Sequence, residues 1–199
     1  IRSRPEDRTR YEINASGLAA CQQGPQLLWM RQHQPHVLEN AAHGFHCKDW
    51  LYYNLTDEIV TDPTEGVFTF GNFRTRNYDT QVIDILGLHT ERRLLPTIAD
   101  GVSVSHALTS AAAKATGLLA GTPVVLGYVD VACTALGAGL YDTGALPGCT
   151  IIGSTGMHMR LAPTPEDVKL NADSTGYTMP LPAPGVYAQM QSNMAATLN

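Results

Sequence analysis

A single charged side chain stands inside the longest apolar stretch of the chain, and that combination limits what the stretch can become. Residues 123–140 read PVVLGYVDVACTALGAGL, and the charge is Asp130. Burying an unpaired carboxylate costs several kcal/mol on the order of what an ion loses on leaving water. The run therefore needs an exposed helix start, a partner cation or a task at that point. A membrane span fits poorly, because Asp130 and several glycines interrupt the stretch. The β-branched half, TPVVLGYV, instead predicts a buried strand, and DVACTALGAG predicts a helix directly after it. Asp130 then falls at a strand–helix junction, the part of α/β sheets where ligands commonly bind. An acid at a helix start is also stabilised by the helix dipole, so a plain cap serves equally well here.

Composition narrows the partners. The chain has 199 residues, 44% of them hydrophobic and 16% charged, which suits one large or two small globular domains. Its formal net charge is −5 and it has no run of Lys or Arg. Nucleic acid and an anionic membrane are therefore excluded as main partners. Cys21, Cys47, Cys133 and Cys149 show no C-x-x-C spacing, and no signal peptide is expected ahead of them. Reduced thiols in a cytoplasmic protein are the expectation. The chain opens IRSRPEDRTR without an initiator methionine and stops at MAATLN, as expected for a piece of a longer protein.

Local signals divide the rest. The charged residues 2–10 read as a solvated, irregular lead-in. GPQLLWMRQHQ predicts a short helix ending before Pro35, and PHVLENAA restarts one with proline in its first turn. CKDWLYYNLTDE places Trp50, Leu51 and Leu55 at helical spacing. DPTEGVFTFGNF opens with Asp62 before proline, a cap followed by a first turn. YDTQVIDILG aligns Val82, Ile83 and Leu86 and closes on Gly87, and SAAAKATG closes on Gly117. LLPTIADGVSVSHAL connects these with a short strand. CTIIGSTGMHMRL predicts two strands joined by a turn, and GYTMPLPAPGVYAQMQ predicts strand and loop.

Besides Asp130, two motifs carry candidate chemistry. The GSTG turn, Gly153, Ser154, Thr155 and Gly156, combines close backbone approach with two hydroxyl donors, as a phosphate site needs. It serves equally as a hairpin turn. HQPHVLENAAHGFHC holds His33, His36, His43, His46 and Cys47, of which His43, His46 and Cys47 could converge on a helix face as zinc ligands. No H-E-x-x-H, second nearby cysteine or acid at ligand spacing supports a metal there.

Four of these stretches, taken in order, resemble the FGGY carbohydrate kinases. GPQLLWMRQHQPHVLENA resembles their proline–lysine–Leu-Trp motif, with Gln26 in place of the lysine. KDWLYYNLTDEIVTDPTEG resembles their K-D-x-L-x-x-x-L-T-G-E-x-x-T-D block, with Asp57 in place of the glycine. ATGLLAGTPVVLGYVDVACTALGAG reproduces T-G-L-x-x-G-T-P-V-x-x-G-x-x-D, whose closing aspartate is the family's catalytic base. GSTG resembles the family's second phosphate-contacting turn.

The resemblance implies an α/β chain, part of an actin-like, ribonuclease-H-like two-domain ATPase fold. Residues 1–144 would be the rear of the sugar-binding domain, and residues 145–199 the start of the nucleotide-binding domain. It implies ATP and Mg2+ as cofactors, a small sugar or polyol as substrate, Asp130 as base, and Gly153, Ser154, Thr155 and Gly156 at the nucleotide. A homodimer is compatible with it. No Asp-Gly-Thr loop is present, so the isolated chain is expected to be silent. Val131 stands where glycerol- and xylulose-kinase relatives carry Gln or Asn, and it has neither donor nor acceptor. That implies erythritol or L-xylulose over glycerol or D-xylulose. The alternatives are a metal-dependent hydrolase using the His/Cys group, and a non-catalytic sugar-binding domain of kinase fold.

Overall fold

The charged opening segment folds rather than trailing in solvent. In the computed structural model, which describes residues 5–141, 148–153, 156–182 and 186–193, it forms helix α1 (Glu6–Asn14). Asp7 pairs with Arg10 at 2.7 Å, and Arg10 Nη1 donates to the carbonyl of Ser16 at 2.8 Å. Arg10 is fully buried beside Tyr11. The expected solvated lead-in is thus corrected: a carboxylate one turn away neutralises the arginine, so its stem can join the packed face.

Helices α2 (Gln23–His33) and α3 (Pro35–Asn40) divide at Pro35 as predicted. Next come α4 (Cys47–Thr56), α5 (Pro63–Phe70), α6 (Thr80–Leu86), α7 (Ser110–Thr116) and α8 (Asp130–Gly137). Their ends follow capping chemistry. Asp62, Asp79 and Thr109 accept first-turn N–H groups of α5, α6 and α7. Gly87 and Gly117 close α6 and α7 at φ +71° and +78°, a backbone that only glycine adopts without strain. Asn14 links α1 to the end of α5, donating to the carbonyls of Val67 (2.6 Å) and Gly71 (2.9 Å). Carbonyls at a helix end have no partner within the helix, and this amide supplies one.

Strands up to residue 125 are short. They are β1 (Val60–Thr61), β2 (Gly71–Asn72), β3 (Asn77–Tyr78), β4 (Thr97–Ile98), β5 (Ser105–Ala107) and β6 (Pro123–Val125). β1 pairs with β4 in parallel, while β2–β3 and β5–β6 are antiparallel pairs. The predicted long buried strand TPVVLGYV is therefore corrected to three residues. Gly127 turns the chain at φ +72°, and Val125 is 61% exposed.

Later residues build an antiparallel sheet in the order β7 (Gly148–Ile152), β8 (Gly156–Ala162), β10 (Tyr187–Asn193), β9 (Tyr177–Pro180). Helix α8 lies on it. Ala132 and Ala135 fall on one face of the helix and, with Tyr128 just ahead of it, pack with Met159, Leu161 and Met190 of the sheet. The two alanines are fully buried, and their small side chains let the helix approach the sheet closely. Among the described residues no helix is long and apolar enough to cross a membrane.

Candidate active site

Asp130 avoids the burial penalty that its sequence context threatened, because it is exposed. It is the first residue of α8, and Val129 takes the capping position with extended ψ of 146° and no side-chain cap. Asp130 Oδ1 accepts the N–H of Val131 at 2.7 Å. Its charge therefore sits in water at the start of a helix, where the unpaired first-turn N–H groups and the helix dipole face it.

The two residues ahead of it are each tied to a polar group. The Tyr128 hydroxyl donates to Asp100, whose other carboxylate oxygen lies 3.3 Å from Arg76 Nη2. Arg76 Nη1 donates to the carbonyl of Leu181, at the end of the sheet, at 2.7 Å. Burial and the Asp100 carboxylate push the Tyr128 phenol well above its ordinary value, so it remains a donor at neutral pH. Behind Val129, its N–H donates to Thr64 Oγ1 at 3.1 Å, and the Thr64 hydroxyl in turn donates to Asp62 Oδ1.

Asp62 belongs to a larger ionic cluster between α4 and α5. Lys48 Nζ lies 2.6 Å from both Asp49 Oδ1 and Asp62 Oδ2. His46 Nδ1 lies 3.2 Å from Asp49, and its Nε2 lies 3.4 Å from Glu65. Asp49 and Asp62 are fully buried. Burial pulls the Lys48 ammonium down, but the Asp62 and Asp49 charges overcome it and leave it above the ordinary lysine value. Burial likewise lowers His46, yet its hydrogen bond to Asp49 and the Glu65 charge leave it raised. For Asp49, burial pushes up while the His46 hydrogen bond and Lys48 charge pull harder, and the carboxyl ends below its usual range. Glu65 ends raised, because burial outweighs the opposing His46 charge.

The other sequence-predicted groups behave differently. Gly153 is exposed at a bend after β7, and Gly156 opens β8 directly opposite Ile152. Ser154 and Thr155 lie outside the described residues. The His/Cys group does not converge. His33 stacks on Trp29 at 4.7 Å, His36 is exposed on α3, and His43 lies against Phe45. Cys47 is exposed, and both ring nitrogens of His46 face carboxylates. Among the described residues no three His, Cys, Asp or Glu side chains form a metal set. Only His46 and Cys47 border the same helix, which is why the spacing misled. Val131 is half-buried against the α8–sheet cluster.

Thr64 and its link to Val129 escaped the sequence reading. Asp62 was legible as a cap and Lys48 as part of a motif, but no spacing reveals that residues 64 and 129 meet. The available signal was the density of charge in KDWLYYNLTDEIVTDPTE, ahead of an apolar run.

A family profile described as the FGGY family of carbohydrate kinases, N-terminal domain, matches residues 3–137. The chain belongs to that family. It is 55% identical over 195 residues to the erythritol kinase of Brucella abortus (strain 2308), covering 98% of this chain and 37% of that protein. It is 33% identical over 135 residues to an autoinducer-2 kinase of Enterobacter sp. (strain 638), covering 67% of this chain and 25% of that one. The matched part of the chain thus spans between a quarter and little more than a third of these relatives' length. Its backbone superposes on the xylulose kinase of Rhodospirillum rubrum with a TM-score of 0.78 at 23% identity, over 93% of this chain and 36% of that one. The α/β architecture is accordingly that of the FGGY sugar kinases, part of an actin-like, ribonuclease-H-like ATPase fold.

Proposed function

We propose that the chain is part of an ATP-dependent kinase for a small polyol or sugar, with Asp130 as general base. The observation that carries this is the presentation of Asp130: an exposed carboxylate at a helix start whose two preceding residues are held by polar contacts. Phosphoryl transfer needs positioning, charge stabilisation and one group to take the hydroxyl proton. The substrate oxygen bonds to the γ-phosphorus, ADP leaves, and the proton passes to an Asp130 oxygen and then to water.

ATP and Mg2+ belong to this reading as phosphoryl donor and counter-ion. Among the described residues no three His, Cys, Asp or Glu side chains gather into a metal set, and the role assigned to Asp130 is proton transfer. Gly153, Ser154, Thr155 and Gly156 are proposed to contact nucleotide phosphate. Residues 1–144 are proposed as the rear of the sugar-binding domain, with residues 145–199 beginning the nucleotide-binding domain, in a cytoplasmic enzyme. The 55% identity to an erythritol kinase supports a tetritol substrate.

The test is Asp130→Asn in the full-length protein. Turnover should fall on the order of a hundred- to ten-thousand-fold, with nucleotide affinity near normal. Turnover close to wild type would exclude Asp130 as the base. Comparing kcat/KM for erythritol, L-xylulose, glycerol and D-xylulose tests the substrate, and a clear win for either of the last two would overturn it.

A further inference from the structure

We infer that Thr64 is a positioning residue for Asp130, acting through the backbone of Val129, with its own hydroxyl oriented by the Lys48–Asp62 pair. This rests on the reading of Asp130 as the base. Thr64 is fully buried in the first turn of α5, and its hydroxyl has two partners of opposite kind. Its proton goes to Asp62 Oδ1, which also accepts the backbone N–H of Thr64 at 2.7 Å. With the proton committed there, a lone pair is left for the N–H of Val129, 3.1 Å away. Lys48 completes the line, 2.6 Å from the other oxygen of Asp62.

The contact matters because of where Val129 sits. It is the capping residue of α8, so its N–H lies outside the helical ladder and needs a partner elsewhere. Thr64 supplies that partner and thereby joins the start of α5 to the start of α8, one residue before the carboxylate. On the other side, the sheet holds α8 through Ala132 and Ala135, a contact that fixes the helix laterally. Apolar packing does not select one rotation of an exposed first turn, whereas a hydrogen bond to a fixed hydroxyl does. A base that drifts by an ångström loses on the order of a hundredfold in rate, since its acceptor oxygen must meet one substrate hydroxyl.

The experiment uses the full-length protein and four variants: Thr64→Val, which keeps the shape and deletes the hydroxyl, Thr64→Ser, which restores it, Asp130→Asn, and Thr64→Val with Asp130→Asn. Thr64→Val should lower kcat roughly ten- to a hundredfold while both KM values stay within about twofold, and Thr64→Ser should recover most of the rate. In the Asp130→Asn background, Thr64→Val should cost almost nothing further, because the group it positions has already lost its function. Hydrogen exchange at the Val129 amide should quicken in Thr64→Val and be unchanged in Thr64→Ser. Should Thr64→Val fail to fold, Lys48→Arg, which keeps the charge but moves it, takes its place, with a selective loss of kcat expected. A wild-type kcat in Thr64→Val beside a crippled Asp130→Asn would overturn the positioning role alone. So would an equal loss in the Asp130→Asn background, or a Thr64→Ser as impaired as Thr64→Val. Wild-type turnover in Asp130→Asn would overturn the base reading itself, and the positioning role with it.

Discussion

Helices α4 and α6 were both predicted from spacing, yet they bury different kinds of face. On α6 the aligned residues Val82, Ile83 and Leu86 all enter the core. On α4 only Leu55 of the aligned residues packs inward, half-buried against Leu108, Ala112 and Ala113; Trp50 and Leu51 are each 55% exposed, and the helix buries Asp49, Tyr52 and Thr56. The difference lies in the neighbours. α6 meets the apolar side chains Leu27, Phe70 and Leu94, whereas α4 meets Asp62 and Glu65 at the start of α5. An apolar pattern finds a helix, but the facing surface decides which side is buried. In α4 the ionic face is also the one connected to the α8 start.

The sharpest way to break this comparison is Lys48→Met. It leaves two fully buried carboxylates without their ammonium and should destabilise the intact protein by about 3–5 kcal/mol. Urea unfolding measures it, and a loss below 1 kcal/mol would mean that water or another cation already serves that cluster. On the apolar side, Ile83→Ala should cost about 2–5 kcal/mol, and Ile83→Val about 0.5–1.5 kcal/mol. A cavity cost of this kind should not depend on pH.

The ionic cluster should. His46 is raised in the folded protein, so its contribution is complete below its ordinary value of 6.5 and fades as pH rises through the folded value. Glu65, also raised, favours the same acid side, but its contribution is lost at lower pH, above its ordinary value of 4.5. Asp49 is lowered, so its contribution is present above its ordinary value of 3.8 and lost as pH falls through the folded value. Unfolding midpoints recorded from pH 5 to 9 should decline as pH rises above 6.5, and His46→Gln should flatten that slope. A slope unchanged by His46→Gln would assign it to other groups.

The smallest effect is expected on the outer face of α4. Trp50→Ser and Leu51→Ser should each change stability by no more than about 0.5 kcal/mol. A core-sized loss at either residue would show that another part of the whole protein covers that face.

Much of this molecule was determined by short-range chemistry and is legible in the sequence. Pro35 divides α2 from α3, Asp62 caps α5, and Gly87 and Gly117 end their helices, because caps and positive φ are settled within a few residues. The ordered motifs around residues 24–66 and 115–139 identified the family on the same terms. Tertiary structure decided the rest. It buried Arg10 against Asp7, cut the expected strand at Gly127, scattered the histidines, and turned the polar side of α4 inward. It also brought Thr64 to Val129 across 65 positions of sequence. A buried charge or hydroxyl is stable only where its partner lies, and that partner is chosen by how the helices pack, which spacing along the chain does not encode.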